Sequence, residues 1–320
     1  MNVLWLLVAC VNADAPVNAA DTSKIVFEVP KGASANSLGT RLTEQGLVGS
    51  EFTWKIYTKQ NDVSCLKAGR FEVSPSMSLN QLRDTLCGPP LSDDEPFTVV
   101  EGWRIRDIDE ALAARGYIDP GAYTAMATAK SVDLPFPITS PTLEGYLYPE
   151  TYMVDPKKFS TKTFIERQLA MFDERFLKAH GSDPCVTKRG LDGVVVMASM
   201  LEREEPKPEN RPVVAGVLWK RIDKGWNLGV DATSRYTLAD WNDRSAFLKH
   251  LRDPEEPYNS RLRPGLPPTA IGNPVVASLE AACNPQESEW WYYLHDKDRN
   301  FHGGRNSEEH EANRKKYDVY

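Results

Sequence analysis

Phe27-Glu28-Val29-Pro30-Lys31-Gly32 opens a pattern that this chain repeats, with Leu38, Leu42, Gly46 and Val48 following it. Seventy residues on, Phe97-Thr98-Val99 is followed at the same offsets by Gly102, Ile108, Leu112, Gly116 and Ile118. A partial copy starts at Phe71-Glu72-Val73, with Leu82 and Leu86 in register. Alternating Phe and Val gives a half-buried strand, and apolar residues four apart give one face of a helix. Ser34 and Ser78 stand where a helix needs an N-cap acceptor, and Gly46 and Gly116 where a C-terminus needs a positive φ. Two such units back to back predict a strand–helix–helix–strand domain. The copy at Phe97 follows an acidic, Pro-containing joint, Pro89-Pro90-Leu91-Ser92-Asp93-Asp94-Glu95-Pro96, and so belongs to the next domain. The predicted class is α+β: a small domain over 25–94, then a larger α+β domain over 95–320.

The chain has 320 residues, 41% hydrophobic and 26% charged. That is ordinary for a folded protein and excludes a disordered, collagenous or polytopic membrane chain. A net charge of −7 argues against a nucleic-acid binder, which carries a basic footprint. The five histidines show no metal-ligand spacing, and no Cys-x-x-Cys occurs, so no metal and no cofactor are expected. At the N-terminus, Val3 to Val11 is an apolar run of nine, too short to span a bilayer. It fits a shortened membrane anchor or signal, a lipobox at Leu7-Val8-Ala9-Cys10, or the apolar tail of a cytosolic chain. A polar linker runs on to Lys24.

Residues 121–142 look like a Pro-rich loop. Leu143-Glu144-Gly145-Tyr146-Leu147-Tyr148-Pro149-Glu150-Thr151-Tyr152 alternates aromatics with carboxylates, which suits an extended wall beside a polar ligand such as a sugar. Residues 161–180 read as an amphipathic helix. Val194-Val195-Val196-Met197-Ala198-Ser199-Met200-Leu201 reads as a helix buried on every side, ending in Glu202-Arg203-Glu204-Glu205 before Pro206. Burial and the helix dipole both favour a protonated carboxyl there, as a general acid requires. Glu202, nearest the apolar run, is the expected acid; Glu204 points to another side of the helix. Pro212 opens another helix, a Gly/Pro-dense loop spans 257–274, and Glu289-Trp290-Trp291-Tyr292-Tyr293-Leu294 reads as a buried aromatic strand.

The first domain resembles a LysM-type peptidoglycan-binding module. Over residues 25–317 the chain resembles the endolytic murein transglycosylases of the MltG (YceG-like) family. The resemblance rests on an ordered set: Val29 to Ser34, Leu66 to Phe71, Val100-Glu101-Gly102, Leu143 to Tyr152, Ala198 to Glu204, Asp231 with Tyr236, Tyr258-Asn259, Gly265-Leu266-Pro267-Pro268 with Ile271 and Asn273-Pro274, and Glu309 to Asn313. Departures are Glu205 where the family usually has Thr, Thr269 where it often has Gly, and a shifted Phe301-His302-Gly303.

The resemblance implies a single-pass enzyme of the cell inner membrane, anchored N-terminally, with its catalytic domain in the periplasm. Its substrate would be peptidoglycan glycan strands, cut internally between N-acetylmuramic acid and N-acetylglucosamine to leave 1,6-anhydro-muramyl ends. Partners in the cell-wall synthesis complex follow from the family's working context. The carried-over acid is Glu202; Glu150, Glu204, Asp231, Tyr258 and Asn259 follow as substrate-binding groups. The rival is a non-catalytic peptidoglycan-binding protein of the envelope. An oxidising compartment argues for paired cysteines, and the domain split suggests Cys65 with Cys87 and Cys185 with Cys283, leaving Cys10 alone.

Overall fold

Phe27 and Val29 are buried while Val26 and Glu28 face water, the period of a strand with one face on a core. This strand, β1 (Ile25–Val29), pairs antiparallel with β2 (Gly69–Val73), and Phe27 sits opposite Phe71. Two copies of the repeated motif thus meet across one ladder. Between them run α1 (Ala35–Glu44) and α2 (Glu51–Gln60), and α3 (Leu79–Cys87) follows β2. The strand–helix–helix–strand order is present, although α2 comes from outside the repeat and α3 completes the second copy. The Ser34 side chain accepts from the Ser37 N–H at 3.1 Å, and Ser78 and Gln81 form a capping box. Gly46, just beyond α1, has φ +69°. Leu38, Leu42, Trp54, Tyr57, Leu82 and Leu86 close the core over Phe27 and Phe71, and Cys65 is bonded to Cys87.

These observations come from a computed structural model that describes residues 12–319. The apolar run at 3–11, with Cys10 and its three readings, lies outside the described residues. The chain divides into two units, Met1–Asp94 and Glu95–Tyr320. Among the described residues no helix is long and apolar enough to cross a membrane.

The second unit begins with β3 (Glu95–Thr98), α4 (Ile105–Ala114) and α5 (Ala122–Met126). β4 (Thr151–Val154) returns antiparallel to β3. α6 (Thr161–Phe172) passes through a π-helical turn, Asp173–Leu177, into α7 (Lys178–His180). Then come α8 (Pro184–Arg189), α9 (Leu191–Glu204), α10 (Arg211–Asp223), α11 (Asp231–Arg235), α12 (Arg244–His250) and α13 (Val276–Cys283). The unit closes with a hairpin of β5 (Tyr292–His295) and β6 (Phe301–Gly304), then α14 (Ser307–Lys316). Helices and short antiparallel strands make the architecture α+β.

α9 is the axle of this unit. Its Val194-Val195-Val196 run is a poor intrinsic helix former, and burial decides the conformation. Every residue from Gly193 to Leu201 is buried. Ser199 Oγ donates to the Val196 carbonyl and accepts from the Ile271 N–H at 3.0 Å, which fixes the Gly/Pro-dense loop against the helix. Asn273, fully buried, pins the loop again: its Oδ1 accepts from Gly145 and Leu147, and its Nδ2 donates to the Trp103 carbonyl. A disulfide joins Cys185 in α8 to Cys283 in α13.

Two expectations change. The 121–142 segment is not all loop: α5 forms inside it because the Asp109 carboxylate accepts from Gly121 N at 2.7 Å and Thr124 N at 2.9 Å, and Tyr123 is buried. The aromatic stretch Leu143 to Tyr152 is not a ligand wall. Tyr146, Tyr148 and Tyr152 are buried with protein partners for their hydroxyls: Asp192, the Val276 N–H and the Tyr148 carbonyl.

Candidate active site

Glu202 and Glu204 lie in the last turn of α9. At about 100° per residue their side chains diverge by roughly 200°, so they enter different surroundings. Glu202 turns into the seam between α9, α10 and α13, and its side chain is only 7% exposed. Arg211, the first residue of α10, clamps it: Nη2 to Oε1 at 3.0 Å and Nη1 to Oε2 at 3.3 Å. Val275 N at 3.1 Å and Ser278 Oγ at 2.8 Å also donate to Oε2. Arg211 Nε donates to the Glu205 carbonyl, so the same guanidinium closes the C-terminus of α9. Burial therefore comes with a cation. A carboxylate addressed by four donors is a structural ion pair, unlike the isolated acid that position along the apolar run suggested.

Glu204 faces the other way, onto an open cleft of about 470 Å³. That is the size range of small-ligand sites. The cleft is walled by the aromatic rings Trp226, Tyr292 and Tyr293 and by Arg221, Asp231, Arg261, His295 and His310. Enclosure raises the Glu204 carboxyl above its ordinary range, and the nearby Asp231 charge adds to this. The Ala232 N–H, which donates to Oε1 at 3.1 Å, His295 and Arg261 act in the opposite direction. Asp231 is itself held by Arg261, with Nη2 at 2.5 Å and Nε at 3.0 Å. The floor is stiff: Arg221 donates to the carbonyls of Leu228 and Trp291. Trp226 packs at a tilt against Trp291 at 4.5 Å yet keeps 43% of its surface open. His310 stacks on Tyr292 at 5.2 Å. A carboxyl held toward its protonated form among aromatic faces can protonate a bound polar oxygen while the rings hold apolar sugar faces.

Of the residues singled out from sequence, Glu204 and Asp231 line this cleft and the others do not. Glu150 pairs with Arg175 at 2.9 Å near the β4 edge. Tyr258 packs at a tilt against Tyr236 and shares a hydrogen bond with Thr269 Oγ1 at 2.7 Å. Asn259 is fully buried and braces its own loop, donating to the carbonyls of His250 and Asp253 and accepting from Arg261 N. Its role is to hold Arg261 at the cleft. Among the described residues no cluster of His, Cys, Asp or Glu is arranged to hold a metal.

The residues missed from sequence are Arg211, Arg221, Trp226, Arg261, His295 and His310. Arg261 lay inside a stretch already singled out, and Trp226 directly after a helix-ending Gly225, where an aromatic has no core to join. Arg211 and Arg221 carry no local signal, since their partners are distant in sequence. The aromatic strand is only half a core strand. Leu294 is buried, whereas Tyr292, Tyr293 and His295 are partly open and border the cleft.

A model of the YceG-like family matches residues 27–316. An endolytic murein transglycosylase from Bacillus subtilis is 24% identical over 298 residues, spanning 87% of this chain and 81% of the relative. An endolytic murein transglycosylase from Streptococcus pneumoniae is also 24% identical, over 93% of this chain, which spans 59% of that relative's length. The crystal structure of a yceG-like protein from Listeria monocytogenes shares the fold, with a TM-score of 0.55 and 27% identity over 91% of this chain and 99% of that one.

Proposed function

This chain belongs to the YceG-like family, and we propose that it is a peptidoglycan lytic transglycosylase that cuts glycan strands internally and leaves 1,6-anhydro-muramyl ends. The relatives named endolytic murein transglycosylase support the reaction class. The observation that carries the residue assignment is Glu204, a carboxyl raised toward its protonated form at an aromatic-walled cleft. Glu204 replaces Glu202 as the acid, because Glu202 is locked to Arg211 and does not line the cleft.

Glu204 donates its proton to the glycosidic oxygen leaving toward N-acetylglucosamine, and the bond from that oxygen to muramyl C1 breaks. C1 gains oxocarbenium character. The Glu204 carboxylate then takes the proton of the C6 hydroxyl on the same sugar as O6 bonds to C1. The proton balance closes on one carboxyl, without the second carboxyl that most glycosidases use. Trp226 and Tyr292 offer ring faces for the sugars, and Asp231, steadied by Arg261, accepts hydroxyl hydrogen bonds.

The N-terminal unit serves as the LysM-like peptidoglycan-binding module, and its β1-α1-α2-β2 order supports that role. Two disulfides support a site of action outside the reducing cytosol, at the periplasmic face of the inner membrane. Mass spectrometry of the soluble products from purified sacculi tests the reaction. Anhydro-muramyl ends are expected. Reducing ends would make the protein a hydrolase, and no products would leave only a binding protein.

A further inference from the structure

Next to Glu204 stands a second carboxyl, Glu205, whose partner lines the cleft. The Glu205 side chain is 0% exposed, with Oε1 accepting from Lys207 N at 2.8 Å and Oε2 at 2.7 Å from His295 Nε2. A buried carboxylate with these two donors holds the imidazole in one orientation and makes Nε2 the protonated nitrogen. His295 ends β5, with its ring packed edge-on against Tyr293 at 5.9 Å and Phe301 at 6.2 Å. It lines the same cleft as Glu204. Nothing in the acid–base cycle given to Glu204 uses either residue.

We propose that Glu205 and His295 form a positioning couple that sets the working pH of Glu204. The proposal rests on Glu204 being the general acid. His295, fixed by Glu205, favours the carboxylate that Glu204 becomes after giving up its proton. This stabilises the ionised form and eases proton loss to the leaving oxygen. Other groups act on Glu204 from each neighbouring element. Asp231 on α11 opposes ionisation, while Arg261 from the Gly/Pro-dense loop favours it. Arg221 on α10, Tyr292 and Tyr293 on β5 and His310 on α14 also line the cleft, and burial holds the His310 imidazole below its ordinary range.

The sign follows directly. Activity needs protonated Glu204, so the rate falls as pH rises through its ionisation. Removing the imidazole charge raises that ionisation, and the alkaline limb of kcat/KM moves up. His295→Gln keeps an N–H donor for Glu205, so no buried carboxylate is left unpaired. We expect the limb to move up by about half to one pH unit, as for loss of one nearby charge. A merely structural role would lower the thermal midpoint and leave the limb in place, and that result would overturn the couple. The same comparison by 13C NMR titration of the Glu204 side-chain carboxyl needs no turnover. An upward move in His295→Gln supports the couple even if the protein proves inactive on sacculi, and an unmoved midpoint refutes it even if the protein is active.

Discussion

Two glutamates two positions apart have opposite fates, and the difference lies in what each one meets. Glu202 is nearly enclosed, as its nearness to the apolar run implied, but Arg211 meets it there. Glu204 meets solvent, aromatic rings and a second carboxylate. Breaking a buried pair leaves an uncompensated charge, so Glu202→Gln should cost about 3–5 kcal/mol of stability by denaturant melt. Glu202→Gln combined with Arg211→Met should recover part of that loss. A near-neutral single variant would refute the structural role. Glu144 offers a second residue-scale test. It is buried, accepts from the Ile105 N–H and the Tyr236 hydroxyl, and burial pushes its carboxyl up to about 8 from 4.5. A raised carboxyl stabilises the fold fully below its unfolded value, and the benefit drains away as pH rises through the folded value. Stability on this group's account should therefore fall between pH 4.5 and about 8, on the order of 1 kcal/mol per pH unit. Glu144→Gln should flatten that slope in pH-dependent melts; an unchanged slope would place the proton elsewhere.

At the scale of elements, what could be read from sequence is what periodicity encodes. The strand–helix copies, the caps at Ser34 and Ser78 and the all-buried α9 are local patterns, and each appears with close bounds. The short α5 was missed because its support, Asp109, lies on α4. The aromatic run at 143–152 misled because alternation alone does not tell a wall facing ligand from one facing core. Only the tyrosine hydroxyls' protein partners separate the two. The cleft was half legible: Glu204 and Asp231 sat in recognisable segments, whereas Arg221, Trp226 and His295 converge from three elements that no local pattern links. Two crossings carry testable weight. Gly145 has φ +91°, and a Cβ there would lie 2.5 Å from Val195 Cγ1 and 2.6 Å from Ala270 Cβ. Gly145→Ala should thus destabilise by about 2 kcal/mol or more in thermal melts; tolerance would mean α9 can give way. The Cys185–Cys283 bond closes a loop with a sequence separation of 98. Replacing both cysteines by alanine should cost about 2–4 kcal/mol, read from denaturant midpoints; equal midpoints would refute its contribution.

For the whole molecule, the two units carry separate cores and one disulfide each. Each therefore has the means to fold alone. A fragment of residues 12–94 should melt cooperatively, and a flat melting curve would contradict independence. The proposed reaction belongs to the larger unit, since the cleft draws its lining from α9, α10, α11, the 257–274 loop, β5 and α14. The claim on which the account turns is that Glu204, and not Glu202, is the acid. Release of anhydro-muropeptides from purified sacculi, compared per mole of folded protein for wild type, Glu204→Gln and Glu202→Gln, tests it most directly. The account predicts a loss of at least about 10²-fold for Glu204→Gln, with folded Glu202→Gln retaining most of its turnover. Wild-type release by Glu204→Gln, or loss confined to Glu202→Gln, would contradict it.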